Sequence, residues 1–489
     1  MLLKVKKKNG DNRESAKIKR IFLWVMVIYA LVTAAFYFLA GDQLRYRESS
    51  GTLELPVPDA GSIELSAGQV VEQIFTTKID RLESVGVQFG AFYRVNAGTV
   101  TMDIRRLSDG EVLLWQSYDA SLIGEGYVLT MAADVPIECT EDEPLVLRVT
   151  ADSQPGQGVT PMVFSAAEPE EGFSLYINAG LTPGRLCFSA AGKDTIWMGQ
   201  HYWEFVISFG ALLAASLLIM WKRFASGKRS YLISALLAIK KYRFLIDQLV
   251  GRDFKTRYKR SVLGVLWSVL NPLLTMMVQY FVFSTIFKND VPNFAVYLLI
   301  GVVMFGFFSE SAGLTQTSIL GNAGLITKVY MPKYIYPLTR TLSSLVNLLL
   351  SLIPLLVMCL ATGVELKKSA ILALYFMICL VIFTLGFGML LATSMVFFRD
   401  TQFLWGVLSM MWMYATPVFY PERILPENLK FVLKINPIYY FIKNARVCIL
   451  NGISPEPVEY LRCMGIALAM LLFGALVFRK NQNKFALYL

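Results

Sequence analysis

The chain has 489 residues, of which 55% are hydrophobic and only 17% charged, and its formal charge is +10. That apolar excess excludes an ordinary soluble protein and points to the membrane. The lysines and arginines gather beside apolar runs, where the positive-inside rule expects them, so nucleic acid is not a partner that the charge implies. One histidine, His201, and six cysteines without CxxC or Cys/His ligand spacing leave almost no material for a metal site or for histidine-based catalysis.

Residues 1–20 form a basic tail carrying Lys4, Lys6, Lys7, Lys8, Lys17, Lys19 and Arg20. The uncharged run 21–40 has the length a helix needs to cross the hydrocarbon core. It is bulky to its end and lacks a small-residue cleavage site, so it reads as a retained anchor with the N-terminus in the cytoplasm rather than as a signal peptide. From 41 to 200 the texture changes to alternation: Val87, Phe89, Ala91, Tyr93, Val95; then Val100, Met102, Ile104; Leu145, Leu147, Val149; and Phe173, Leu175, Ile177. A period of two marks half-buried strands, and turn formers such as Ser108-Asp109-Gly110 and Gln154-Pro155-Gly156 separate them. The expectation is an extracytoplasmic all-β sandwich. Cys139 and Cys187 fall inside it and are the pair available for a disulfide if the region faces outward.

A second span over 203–221 begins with Tyr202-Trp203 and is followed by Lys222, Arg223, Lys228 and Arg229, which returns the chain to the cytoplasm. Residues 222–261 are too charged to cross yet keep helical spacing, with Phe254 and Tyr258 on one face and Arg252, Lys255 and Lys259 on the other. This is an amphipathic segment of the cytoplasmic interface, although a solvated basic face accounts for the pattern equally well. Six more apolar stretches follow, near 262–287, 294–318, 338–361, 369–398, 401–420 and 458–478, each long enough to span. The fold class is therefore a polytopic α-helical membrane protein of eight transmembrane helices plus the sandwich.

This orientation puts Lys328, Lys333, Arg399, Arg479 and Lys480 in the cytoplasm, with Lys367-Lys368 as the exception. Asn271-Pro272 and Pro354 interrupt two spans, and the carbonyls they free must be satisfied by neighbours. Glu310, inside the second of the six, is a functional candidate because an intramembrane carboxylate is costly. Between the fifth and sixth stretches, 421–457 is half apolar and is expected to form short helices in or near the outer leaflet.

The run from Arg252, Asp253, Phe254, Lys255, Arg257, Tyr258, Lys259 and Arg260 through Leu263-Gly264 to Asn271-Pro272-Leu273 resembles the entrance of type-2 ABC exporter permeases for O-antigen, capsule and teichoic acid. Asn322-Ala323-Gly324-Leu325-Ile326-Thr327-Lys328 with Met331-Pro332-Lys333 is similar to that family's cytoplasmic loop. Phe397-Phe398-Arg399-Asp400, Thr416-Pro417-Val418-Phe419-Tyr420, Asn436-Pro437 and Arg446 extend the likeness over roughly half the chain. The resemblance implies that 262–489 is a six-span permease acting as a homodimer with two ABC ATP-binding subunits. It implies export of a glycan on an undecaprenyl-type lipid across the cytoplasmic membrane.

Carried over by motif, Arg252, Asp253, Phe254, Lys255, Arg257, Tyr258, Lys259 and Arg260 form a gate helix at the lipid headgroup, where guanidinium suits a diphosphate. Asn322, Gly324, Leu325, Ile326, Lys328 and Pro332 would couple to the ATPase, although a plain cytoplasmic turn explains them almost as cheaply. Glu310 and the aromatics Trp405, Trp412, Tyr414, Phe419 and Tyr420 are candidates for the transport path, and the aromatics serve equally well as belt residues. No GxxxxGK[ST] phosphate loop occurs; Gly192-Lys193-Asp194 lacks both the upstream glycine and the following Ser/Thr. The chain is thus expected to bind no cofactor of its own, with ATP and Mg on the partner.

The sandwich resembles jelly-roll carbohydrate-binding modules, while a role in assembly or partner docking fits it as well. A glycosyltransferase or polymerase would require a DxD motif or an acid/base pair in a sizeable cytoplasmic domain, and neither is present. A glycan sensor would not require six spans.

Overall fold

The computed structural model describes residues 2–50, 53–140, 142–165, 172–226, 237, 239–258, 263–287, 292–326 and 331–488. Two compact units emerge: Asp42–His201, and Met1–Gly41 together with Tyr202–Leu489.

The first unit is all-β, as the alternation predicts. Its strands are β1 (Tyr46–Ser49), β2 (Ala60–Gly61), β3 (Val70–Thr76), β4 (Arg81–Gly90), β5 (Thr99–Arg106), β6 (Val112–Asp119), β7 (Tyr127–Glu138), β8 (Pro144–Ala151), β9 (Thr160–Phe164), β10 (Phe173–Ile177), β11 (Gly180–Thr182), β12 (Arg185–Leu186) and β13 (Phe188–Thr195). One sheet runs β1-β13-β4-β9-β12, with β7 also on β4 and β2 on β9; the other runs β11-β10-β3-β8-β5-β6. Every pairing is antiparallel, and alternate residues such as Val71, Phe75, Val85, Val87, Met102, Ile104, Leu147 and Val149 meet in one dry core.

The alternation at Ala91, Tyr93 and Val95 does not continue the strand. β4 ends at Gly90, Phe92 and Tyr93 take left-handed backbone angles, and the Glu125 carboxylate accepts the Ala91 amide at 2.8 Å to hold the turn. Cys139 and Cys187 are free thiols, so the pair that was open to a disulfide is not joined. The Cys139 amide bonds Asp80 just before β4, whereas the Cys187 carbonyl accepts the amide of Gln88 near its far end. At about 3.3 Å per residue the two thiols flank points roughly 26 Å apart, far beyond the reach of a bridge.

In the second unit the basic tail is no separate segment. One helix, α1, runs Leu2–Ala40. It pairs with α2 (Tyr202–Ala225) through Tyr29, whose hydroxyl donates to the Val206 carbonyl at 2.7 Å, and Tyr202, whose hydroxyl donates to the Thr33 carbonyl at 2.7 Å. The helices that follow are α3 (Arg243–Tyr258), α4 (Trp267–Phe287), α5 (Phe294–Gln316), α6 (Ile335–Ala361), α7 (Ala373–Phe397), α8 (Thr401–Ala415), α9 (Pro437–Arg446) and α10 (Pro457–Asn481).

Among the described residues seven helices are long and apolar enough to cross a membrane, one fewer than the eight apolar runs. The exception is α8, which stops at Ala415 because Pro417 drives Thr416 into the extended region. Its 15 residues rise only about 22 Å. Beyond it, 421–457 contains the expected short helices, among them Lys430–Ile435 and α9. Pro272 and Pro354 sit inside continuous helices. The carbonyl that Pro272 frees, that of Ser268, accepts the Ser351 hydroxyl of α6 at 3.4 Å. Helices α7 and α10 touch backbone to backbone, since a Cβ on Gly474 would lie 1.9 Å from the Gly386 carbonyl oxygen.

Candidate functional site

Helix α3 buries Ile246 in a cluster with Ile335, Tyr336 and Phe485, which leaves its polar side free to make specific contacts. The Asp253 carboxylate receives Arg340 of α6 at 2.9 Å, Arg252 at 3.3 Å and the Ser343 hydroxyl at 3.4 Å. Arg252 also reaches Asn322 Oδ1 at 3.5 Å. One turn on, Arg257 forms an ion pair with Glu310 of α5, and Asn347 of α6 donates to the same carboxylate at 2.9 Å. Two carboxylates therefore fasten α3, α5 and α6 together. The Asp253 cluster is the better shielded: its side chain is 12% exposed, against 29% for Glu310. Half-exposed pairs such as Arg257–Glu310 are screened and contribute little to stability, so that link is suited to opening.

The Arg257–Glu310 pair stands at the edge of a cavity of about 580 Å³ enclosed by α4, α5, α6 and α8. Its polar lining comes from Asn271, Thr275, Gln279, Ser309, Ser344, Asn347, Ser351 and Ser409, and its apolar lining from Val418, Phe419, Met410 and Met413. Ser344, 1% exposed, and Gln279 each have a buried oxygen with no partner among the described residues. Such atoms invite a hydroxyl-bearing guest or water. Among the lining residues only Glu310 and Arg257 ionise, and they neutralise each other. Neutral hydrogen-bonding groups therefore make up most of the cavity's polar lining.

At the opposite end a buried arginine closes the bundle. Arg446 of α9 donates to the carbonyls of Tyr297 (3.0 Å), Pro417 (2.6 Å) and Val418 (3.0 Å), and its guanidinium lies 3.4 Å from the Tyr297 ring centroid. Beside it Asn436 accepts the Trp412 indole N–H at 2.8 Å and donates to Thr416 Oγ1 at 2.8 Å. The Thr416-Pro417-Val418, Asn436-Pro437 and Arg446 motifs, scattered in sequence, thus form one clasp around the break after α8.

The remaining predicted residues distribute as follows. Phe254 lines an apolar groove of about 450 Å³ between α3 and α6, and Lys255 is exposed. Tyr258 is the last residue of α3. Lys259, Arg260 and Lys328 lie outside the described residues. Asn322 is buried, bonded to the Ser318 carbonyl at 2.8 Å as well as to Arg252, so it joins the segment after α5 to the basic helix. Gly324 is exposed, whereas Leu325 and Ile326 pack against the Tyr336 cluster, and the Pro332 carbonyl accepts the Ile335 amide at 3.2 Å.

Of the path aromatics only Phe419 lines the cavity, stacked on Phe283 at 5.6 Å. Trp405 and Trp412 are packing residues around Phe308. Tyr414 is exposed, and its carbonyl accepts the Tyr420 hydroxyl at 2.7 Å. The sequence reading missed Arg340, Ser343, Ser344, Asn347 and Ser351, although they form a polar stripe at helical spacing in an otherwise apolar span.

The chain matches the ABC-2 type transporter family over residues 245–450. It is 32% identical over 248 residues to the O-antigen export system permease protein RfbA of Klebsiella pneumoniae, which covers 50% of this chain and 95% of that protein. The protein of the same name from Myxococcus xanthus is 30% identical over 247 residues, at 50% and 95% coverage. The polysialic acid transport protein KpsM of Escherichia coli is 22% identical over 246 residues, at 49% and 93%. The family match begins beyond the β unit, so the sandwich is an addition to the part these relatives share. Likeness across nearly the full length of the O-antigen permeases, on a helical bundle with a polar cavity, places the chain in the ABC-2 type transporter family as a permease of the polysaccharide-exporting kind.

Proposed function

We propose that this permease works as a homodimer with two ABC ATP-binding subunits and moves a glycan carried on an undecaprenyl-type lipid across the cytoplasmic membrane. The polymer class is an O-antigen, a capsule or a teichoic acid. Both termini are cytoplasmic in this reading, and 41–200 stands outside. ATP and Mg belong to the partner.

The observation that carries the reading is the Arg257–Glu310 pair, which joins the basic helix α3 to the rim of a hydroxyl-lined cavity. A diphosphate headgroup approaching α3 would compete with Glu310 for Arg257, because guanidinium binds phosphate oxygens in a two-pronged contact. Releasing Glu310 would open the cavity to the first sugars. Arg252, Lys255 and the residues 259–260 supply further cations for the headgroup, while Asn322 to Pro332 conveys ATPase movement to α3 through the Asn322–Arg252 contact.

The test is reconstitution in vesicles with the ATP-binding partner. Lipid-linked glycan should stimulate ATP hydrolysis, and charge reversal at Arg252 and Lys255 should lower surface polymer severalfold. Unstimulated hydrolysis together with unchanged polymer would refute the proposal.

A further inference from the structure

Alternation in the sheet β11-β10-β3-β8-β5-β6 sends Val71, Phe75, Leu147, Val149, Met102 and Ile104 into the core, so their neighbours lie on the opposite face, where Glu72, Arg148 and Tyr176 are half-buried and Asp103 is covered. Register fixes what stands side by side there. Tyr176 on β10 is the direct partner of Glu72 on β3, Glu72 of Arg148 on β8, Arg148 of Asp103 on β5, and Asp103 of Trp115 on the edge strand β6. Directly opposed side chains touch, and at about 4.8 Å between strands the row spans roughly 19 Å.

Three features of this row point to one class of ligand. The first is that Trp115 is 66% exposed on a strand whose Leu114 and Tyr118 already pack on the core. The fold does not need the indole there. The second is that charge cancels within the row: Glu72 pairs with Arg148 at 3.6 Å, and Asp103 pairs with Arg105, whose guanidinium also feels Glu72. A balanced face has no pull on nucleic acid or on an anionic membrane. The third is that the pairs hold one another in fixed orientation, presenting rigid acceptors and donors between two aromatic platforms, with Thr101 and Ser117 hydroxyls bonded alongside at 3.0 Å. Aromatic rings present a negative face, to which the C–H faces of pyranose rings are complementary, while sugar hydroxyls satisfy paired carboxylates and guanidinium groups.

We propose that this surface binds an extended, uncharged stretch of glycan laid across the strands, with Trp115 and Tyr176 as stacking platforms and Glu72, Arg148 and Arg105 as hydroxyl partners, Asp103 orienting Arg105 from beneath. The ligand class deepens the export reading, because it rests on the sandwich standing outside the membrane, where the exported polymer emerges.

The test uses the full chain with its ATP-binding partner in lipid nanodiscs. The probe is delipidated surface polysaccharide from the producing strain, with heparin as the polyanionic comparison. Saturable binding of the polysaccharide is expected, weakened at least tenfold by Trp115→Ala and by Arg148→Ala but unchanged by Trp197→Ala, an exposed tryptophan elsewhere on the sandwich. Partner ATP hydrolysis should be unchanged in Trp197→Ala. Absence of polysaccharide binding, as expected of a protein-docking face, would overturn the proposal, as would full binding by Trp115→Ala or tighter binding of heparin. Retained binding without stimulation of hydrolysis by lipid-linked glycan would refute the export reading and leave this one standing.

Discussion

Arg446→Met is the substitution whose consequence the structure specifies most fully. The guanidinium holds three backbone carbonyls, those of Tyr297, Pro417 and Val418, on two separate segments. A methionine would leave all three facing an apolar side chain, at roughly 1–3 kcal/mol for each buried acceptor left unpaired. Loss of the contact with the Tyr297 ring adds about 1–2 kcal/mol. Against this, the variant no longer desolvates a charge, which returns several kcal/mol. The net is a destabilisation of about 3 kcal/mol, or on the order of 4–5 °C in Tm for a unit of this size. Arg446→Lys keeps the charge, but one ammonium cannot reach both segments, so it should fall between. Gly301→Ala should mimic the loss, because its Cβ would lie 2.7 Å from Arg446 Nη2. The assay is thermal unfolding of the solubilised protein, read by exposure of the buried thiols Cys448 and Cys463 to a reactive dye. Melting of Arg446→Met within about 1 °C of the parent would show that water or the backbone already satisfies those carbonyls, and the clasp would have no energetic standing.

Gly474→Ala should cost at least 3 kcal/mol, the upper end for overpacking, because its Cβ meets the Gly386 backbone; Gly465→Ala on the same helix has open space and should leave the melting temperature unchanged. Asp253→Asn should speed hydrogen exchange of the α3 amides severalfold by releasing Arg340, and an unchanged pattern would show that apolar packing alone holds the helix. Within the sandwich the Thr140 amide and hydroxyl, aided by Arg106, hold the Glu143 carboxyl below its ordinary range, and Ser121 does the same for Asp119. A carboxyl whose pKa is lower in the folded state contributes stability fully above its unfolded value, near 4.3 for glutamate, and loses it as pH falls through the folded one. Exchange protection of β5 to β8 should therefore fall as the medium is acidified below about pH 4 and should be flat from pH 6 to 8; Glu143→Gln should remove much of the slope. Burial pushes the Cys187 thiol up to about 11, so at pH 8 it should stay unlabelled in the folded protein, and mobility on non-reducing gels should match that of Cys139→Ser.

What the chain disclosed in advance follows from which physical signals are local. The apolar length of 21–40 and the alternation at Val100, Met102 and Ile104 are local, and both elements stand where the periodicity puts them. The misreading at Ala91 to Val95 came from the same rule, since two residues at positive φ can carry an apolar alternation through a turn. The helix of the seventh apolar run, 401–420, is shorter than its sequence allows because Pro417 is a stop signal inside a run long enough to cross.

The site was harder to read for a different reason. Asn436 and Arg446 stand out as residues, but Arg446 acts on backbone carbonyls, and every residue has one, so no pattern of side chains could name Tyr297 or Val418 as its partners. Asp253 and Arg340 are both visible, but their meeting depends on how α3 lies on α6. The surface row of the sandwich is the sharpest case. Alternation alone assigns Glu72, Arg148, Asp103 and Trp115 to one face of their strands, yet which of them are neighbours depends on register, and a one-residue slip in any strand would turn its member of the row to the other face. The bulge between Ile104 and Arg105 and the turns joining β5 to β6 set that register. Displacing that bulge while keeping the core residues in place should therefore separate Trp115 from Asp103 and abolish glycan binding without unfolding the sheet. Composition-preserving changes in the β5–β6 turn offer a direct way to ask whether the row or merely its residues matter.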